Sequence, residues 1–523
     1  MDTKALRQKV LDLAIRGKLV PQDPNDEPAS VLLERIRQQK QQMVKDGKLK
    51  VKDIKNDTII FVGEDNLHYE KFADGSVKCI EDEIPFDLPD GWAWARLGAV
   101  AEAIGDGDHQ PPPQTSSGIP FLVISNVSGG TLSFENTRFV GAEYFSLLPE
   151  TRKPRNGDLL FTVTGSYGIP VLVDTDDKFC FQRHIAIVRP CIISNRYLYV
   201  VLGSSYVKSI CDAKATGTAQ KTVGLATLRE LLIPVAPYSE QMRIYTQAQT
   251  ALCIVDNISS DREDLLNIVE NTKTKILDLA IRGQLVPQDP VDEPASVLLE
   301  RIRAEKEELI RQGKIKRNKR ESVIFRGEDN SYYLRTGNLV ESLGDWAFEE
   351  LPDSWAICCL GELCDYGNCL NVDTASISDS AWILDLEDIE KDTGVVLRKV
   401  RKSERNAAST KHLFHKGQVL YSKLRPYLNK VVLSDEDGYC TSEILPLEFE
   451  RNVLPQYARY YLLSPAFLGY ANKCSYGVKM PRLGTADAKK AIISVPPIEE
   501  QKRIVIAIEQ AFSQLASIVE NLS

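Results

Sequence analysis

Between Ser239 and Ile281 the chain carries neither proline nor glycine, and apolar side chains return every three or four residues. They are Ile244, Ala248, Leu252 and Val255, then Leu265, Ile268 and Val269, then Ile276, Leu279 and Ala280. That spacing puts them on one stripe of an α-helix. Pro237 stands just before it, and Gly283 stands just after it, at the C′ position where glycine relieves a left-handed turn. About 44 residues at 1.5 Å each give roughly 65 Å of helix. A helix of that length needs a partner to cover its stripe. The segment from Glu500 to Ser523 repeats the pattern with Ile504, Ile508, Phe512, Leu515, Ile518 and Val519, and residues 4–16 align with 270–282. The C-terminal and N-terminal helices are therefore predicted to form a second, split arm antiparallel to the central one, in a cyclic pseudo-twofold arrangement. Two unrelated terminal helices are the alternative.

Elsewhere the periodicity is that of strands. Runs such as IPFLVISNV (119–127), GDLLFTVTGSYG (157–168) and FQRHIAIVRP (181–190) alternate with turns, as do WILDLEDIE (382–390), GQVLYSKLRPYLNKVVL (417–433) and ILPLEF (444–449). Helical patterns follow at 196–213 and 456–471. The expected class is α+β, with two mixed modules of about 140 residues each separated by long helices.

The two halves are copies. Residues 11–37, LDLAIRGKLVPQDPNDEPASVLLERIR, return at 277–303 with 25 of 27 positions identical. IIFVGEDN (59–66) returns as VIFRGEDN (323–330), LPDGW (88–92) as LPDSW (351–355), and PYSEQMRI (237–244) as PIEEQKRI (497–504). The stretches between diverge, although Gly217 and Gly224 keep the spacing of Gly477 and Gly484. A period near 260 residues marks domain-sized duplication, not a solenoid. The chain divides into 1–17, a terminal helix; 18–90, a constant tail; 91–236, a variable module; 237–283, the central helix; 284–353, the second tail; 354–496, the second variable module; and 497–523, the last helix. Short helices are predicted from Ala29 to about Lys45 and from Ala295 to about Gln312, each opened by a proline. Their exposed faces suit either partner docking or a simple brace.

Composition narrows the function. The chain has 523 residues, with 73 acidic and 64 basic side chains and a net charge of −9. That excludes a surface that is basic throughout but leaves room for a local basic cleft. No run of about 18 apolar residues predicts a membrane span, and the first residues lack a secretory pattern. The 11 cysteines include no CxxC pair, and Cys358, Cys359, Cys364 and Cys369 have no histidine at ligand spacing. They read as reduced, packed thiols of a cytoplasmic protein, with no metal site. No P-loop, no glycine-rich cofactor loop and no hydrolase motif occurs in the sequence, so no catalytic residue and no cofactor is assigned to this chain.

The chemistry that remains lies in the variable loops. TGSYG (164–168) and ATGTAQKTVG (215–224) offer backbone N–H groups to phosphates. SKLRPYLNK (422–430) and SYGVKMPR (475–482) mix basic side chains with tyrosines, as nucleic-acid contacts do. The same pattern also suits solvated loops with their tyrosines packed inward. In GDGDHQPPP, Asp106, Asp108 and His109 read as a turn or a polar DNA contact. Of Arg183 and His184, in a strand pattern, one faces outward.

These residues together are recognisable. LDLAIRGKLVPQDPNDEPASVLLERI, the PxxEQxRI segments, GIPFLVISNV, FCFQRHIAIVRP and LYSKLRPYLNKV resemble the specificity subunit of type I restriction-modification systems over nearly the whole chain. The resemblance implies two target recognition domains, each reading one half of a split, asymmetric double-stranded DNA target, with the helices setting the spacer. It implies two modification subunits docked on the frame, restriction subunits beyond them, and S-adenosylmethionine, ATP and Mg on those partners. The family's recognition loops correspond to Gly165–Tyr167, Thr216–Lys221, Lys423–Tyr427 and Tyr476–Lys479, with Lys221 standing where the second module has Pro481. The expected DNA-contacting set is His109, Gln110, Gly165, Ser166, Tyr167, Arg183, His184, Thr218, Gln220, Lys221, Tyr421, Lys423, Arg425, Tyr427, Lys430, Tyr476, Lys479 and Arg482. A stand-alone bipartite DNA-binding protein or repressor, and a nuclease in its own right, are the competing classes.

Overall fold

The computed structural model describes residues 2–522 apart from 109–111, 219, 315–321, 328, 330, 344–350, 406–408 and 451. The chain forms two compact units, Met1–Arg262 and Glu263–Ser523.

The first unit opens with helix α1 (Thr3–Ile15), capped by Asp2, whose carboxylate accepts from the backbone N–H groups of Lys4 and Ala5. Helix α2 (Ala29–Lys45) follows. Helix α3 (Tyr238–Ile281) closes the unit and continues into the second. α1 lies antiparallel to the start of α3, since Thr3 meets Ser259 while Arg7 pairs with Asp256. Leu11, Ala14 and Ile15 of α1 share one core with Leu32 and Ile36 of α2 and with Ile244, Ala248 and Leu252 of α3. The variable part adds a four-stranded antiparallel sheet ordered 170–172, 159–162, 185–190, 101–106. A second, mixed sheet is ordered 180–181, 119–122, 138–140, 114–115. A separate apolar cluster of Leu122, Leu160, Val171, Phe179 and Ile187 lies between these strands.

The second unit has the same parts in the same order. Its first helix is the end of α3, which buries Leu277, Ala280 and Ile281. Then come α4 (Ala295–Arg311) and the last helix, α5 (Ile498–Leu522). Ile504, Val505 and Ile508 of α5 enter the core that holds the end of α3. The variable part contains a five-stranded sheet, 371–372, 411–414, 438–441, 382–384, 400–401, and a three-stranded sheet, 431–433, 419–422, 444–447. Parallel pairing of 382–384 with 438–441 makes it mixed, like its counterpart. The fold is α+β, as expected, and the partner that the apolar stripe of α3 requires is present inside each unit. α3 is the last helix of one copy joined without a break to the first helix of the next.

Three details depart from the sequence reading. The helical run 196–213 is two helices, Asn195–Leu202 and Ser205–Lys214, because Ser204 turns the chain and caps the second one at Val207. The run 456–471 breaks the same way at Ser464, before Pro465. The stretch 417–433 is two strands, 419–422 and 431–433, parted by a turn whose ends, Arg425 and Asn429, are left-handed. Among the described residues no helix is long and apolar enough to cross a membrane, and no cluster of His, Cys, Asp or Glu could hold a metal ion. Cys358, Cys359 and Cys364 are buried, and burial pushes the Cys359 thiol up to about 12.

The repeated motifs meet at one point in each unit. Glu240 is buried at the start of α3 and accepts from the Trp92 indole at 2.9 Å and from Gln22 Nε2 at 3.0 Å. Glu500 accepts from Trp355 at 3.0 Å and from Gln288 at 2.7 Å. The next residue, Gln241 or Gln501, accepts from the backbone N–H of Ser194 at 3.0 Å or Leu454 at 2.8 Å. Arg243 then pairs with Asp26, and Arg503 with Asp292. Gly17 and Gly283, with φ of +64° and +68°, let Pro89 and Pro352 come so close that a Cβ would lie 2.4 and 2.5 Å from the proline rings. So PxxEQxRI, PQDPxDEP and LPDxW form one knot, made twice.

Burial raises the pKa of both Glu240 and Glu500, against the lowering effect of their donors. Their folded forms hold the proton more tightly than the unfolded chain does. Their contribution is complete below the ordinary glutamate value near 4.5 and is lost as pH rises through the raised folded pKa. Trp92→Phe or Trp355→Phe should each cost about 2 kcal/mol or more in thermal unfolding, since a buried carboxylate loses a donor. The stability of the wild type relative to Glu240→Gln should fall as pH rises from about 4.5 to neutral, as denaturant titrations at several pH values would show.

Candidate nucleic-acid interface

In the first unit the strand 159–162 runs out into Thr164 and a left-handed glycine, Gly165. Three backbone hydrogen bonds hold this turn. Gly165 N donates to Lys221 O at 3.1 Å, Val223 N to Val163 O at 2.8 Å, and Val163 N to His184 O at 2.9 Å. Thr164 and Thr222 form a bridge, and their hydroxyls are 3.1 Å apart. Three segments distant in sequence, 163–167, 183–184 and 216–223, are thus brought side by side.

The second unit builds the same arrangement from different side chains. Arg425, left-handed like Gly165, donates its N–H to Pro481 O at 2.7 Å, and Leu483 N donates to Lys423 O at 3.0 Å. Leu424 bridges Arg482 as Thr164 bridges Thr222. Lys423 N donates to Glu443 O at 3.0 Å, so Glu443 stands where the first unit has His184. Gly217 and Gly477 open the facing loop at φ of +112° and +101°. A Cβ on Gly217 would fall 2.4 Å from the Gln220 carbonyl, so a side chain is excluded there.

The side chains divide by surroundings. Gly165, Ser166, Arg183, Thr218, Gln220 and Lys221 are exposed, as are Tyr427, Tyr476 and Lys479. Tyr167 is half-buried. Its hydroxyl donates to Asp212 at 2.8 Å, and the Lys208 ammonium lies 4.0 Å from its ring centroid. His184 is half-buried, and burial, assisted by the charge of Arg183, lowers its pKa. Lys423 and Arg425 are half-buried, and the guanidinium Nε of Arg425 is buried with no hydrogen-bond partner. His109 and Gln110 lie outside the described residues.

Three expected contacts are placed otherwise. Tyr421 is a core residue, packed between the rings of Tyr366 and Phe467, because it occupies an inward position of the strand 419–422. Lys430 turns inward and donates to Leu386 O at 2.6 Å, and its desolvation lowers its pKa. Arg482 is tied to Glu443 at 2.9 Å and so braces the loop. Of the acidic pair, Asp108 is paired with Arg152 at 2.7 Å and Asp106 lies 3.8 Å from the same guanidinium. Gly107 between them is forced, since a Cβ would lie 2.0 Å from Phe181 O. The sequence reading passed over Val478 and Met480, which are exposed at the tip of the second unit's loop. Their signal was apolar residues inside an otherwise polar turn.

A family model described as type I restriction modification DNA specificity domain matches residues 352–522. The chain is 30% identical over 418 residues to the type I restriction enzyme EcoAI specificity subunit of Escherichia coli, a match covering 70% of this chain and 63% of that one. It is 25% identical over 596 residues to the EcoEI specificity subunit of Escherichia coli, covering 97% of this chain and 89% of that one. Among solved structures, a chain of a type I R-M system matches with a TM-score of 0.51 at 18% identity, covering 84% of this chain and 94% of that chain. That likeness is one of fold.

Lys221→Ala and Lys479→Ala should each weaken DNA binding at low salt and reduce the slope of log affinity against log salt by about 1, without lowering the melting temperature. Lys430→Ala, measured beside them, should leave the salt slope unchanged, because its ammonium is bonded inward.

Proposed function

We propose that the chain is a member of the specificity-subunit family of type I restriction-modification systems and serves as the non-catalytic DNA-recognition subunit of such a complex. Each unit reads one half of a bipartite, asymmetric double-stranded target, and α3, continuous between the units, sets the unspecified spacer. The observation that carries this reading is the duplicated loop pair, with one backbone scaffold holding two different sets of side chains. Two unlike readers on like supports suit two unlike half-sites.

The frame serves partners. Identity between the copies extends to solvent-exposed positions such as Ser30 and Ser296, which packing does not require. That supports two modification subunits docking on equivalent faces, with restriction subunits joining them. S-adenosylmethionine, ATP and Mg act on those partners, where adenine methylation and DNA cleavage take place. A stand-alone repressor has no use for such duplicated exposed faces. The location that follows is the cytoplasm.

Long-read methylome sequencing tests the assignment. Removing this gene while its partner genes stay intact should erase one bipartite adenine-methylation motif, and an unchanged methylome would sink the reading.

A further inference from the structure

The two loop pairs differ in chemistry at a place where their backbones agree. In the first unit the tip presents Thr218, Gln220 and Lys221, all exposed and all able to hydrogen-bond. In the second unit the equivalent tip presents Val478 and Met480, exposed on either side of Lys479. Tyr476 is exposed on the same hairpin, and Tyr427 on the loop beside it. The hairpin is fixed, not a floppy excursion. Ser475–Tyr476 pairs with Arg482–Leu483, Arg482 is held by Glu443, and Arg425 N–H donates to Pro481 O. Apolar side chains held out into water on a braced loop mark a contact surface. Lys479 between them favours an anionic partner.

We propose that the second unit recognises its half-site by apolar contact of Val478 and Met480 with thymine C5-methyl groups in the major groove, whereas the first unit reads by hydrogen bonds. This rests on the DNA-recognition reading and sharpens it. A valine or methionine side chain has no hydrogen bond to offer a base edge, and the thymine methyl is the apolar group that the major groove displays. A half-site that offers an adenine for methylation also offers the thymine paired with it. The tip of the first unit is polar: the Thr218 hydroxyl, the Gln220 amide and the Lys221 ammonium can pair with acceptors and donors on base edges.

The test uses the full chain assembled with its modification subunits and duplexes of its target in which deoxyuridine replaces thymine in one half-site at a time. One half-site should lose affinity by about 3–10-fold, and the other should change by less than about twofold. Val478→Ser, which removes both methyl groups and leaves a hydroxyl, should abolish that sensitivity to uracil. Met480→Gln supplies a second variant with the same expected result, and melting temperatures confirm that both remain folded. Equal sensitivity of the two half-sites, no sensitivity in either, or sensitivity that survives both substitutions overturns the inference. Failure of the underlying reading looks different: the wild-type assembly would then show no preference for its target over unrelated DNA.

Discussion

A buried carboxylate at the start of a helix organises each unit. Glu240 and Glu500 each bring together a tryptophan just past the end of the constant tail and a glutamine from near its beginning. Burying such a group without donors is costly, so the three segments are held to one geometry. The adjoining glutamine extends the same knot to the helix that starts at Asn195 or Pro455, and the adjoining arginine reaches the acidic turn. The variable parts are therefore not loosely tethered. Their helices share a core with the frame, while their outer strands gather round separate clusters, Leu160 and Ile187 in one unit, Leu384 and Leu420 in the other. Divergence is tolerated in the strands because the geometry is set elsewhere.

The same logic accounts for α3. Each unit needs a helix at both ends of its sequence, and the two lie in one core. Duplication without a spacer joins the last helix of the first copy to the first helix of the second, and the result is a 44-residue helix. Its length reflects that joining. No stripe on it has to be continuous over its whole length, and Leu265 and Ile268 near its middle are indeed exposed, whereas Ile244, Ala248, Leu277 and Ile281 are buried.

The sequence made the frame legible because repetition is visible without any knowledge of structure. The bounds of α2, α4 and α3 follow from proline, glycine and apolar spacing, and the structure agrees with them to within a residue or so. Inside the variable parts the signal was weaker. Ser204 and Ser464 break helical runs by capping, an effect that depends on a single hydroxyl and that periodicity does not register. Tyr421 and Lys430 resembled contact residues, since an aromatic and a cation beside a proline turn read alike whether they face water or the interior. For Tyr421 the register of its strand against 444–447 decides that question, and for Lys430 a bond to Leu386, distant in sequence, does; no local pattern reports either. The ion pair of Arg482 with Glu443 joins residues far apart in the chain and was invisible for the same reason.

The bonds that fix the loop pair run between backbone atoms: Gly165 to Lys221, Arg425 to Pro481, Val223 to Val163 and Leu483 to Lys423. Such bonds do not depend on the side chain carried at the position, apart from the glycines that open the facing loop and the residues willing to turn left-handed. The loop tips are thus interchangeable heads on a common shank. A lineage that must keep changing what it recognises can replace Thr218 or Val478 by ordinary point mutation without refolding the support. Novelty then costs little stability, and new side chains can appear at the tip in one unit while the other unit and the frame continue unaltered.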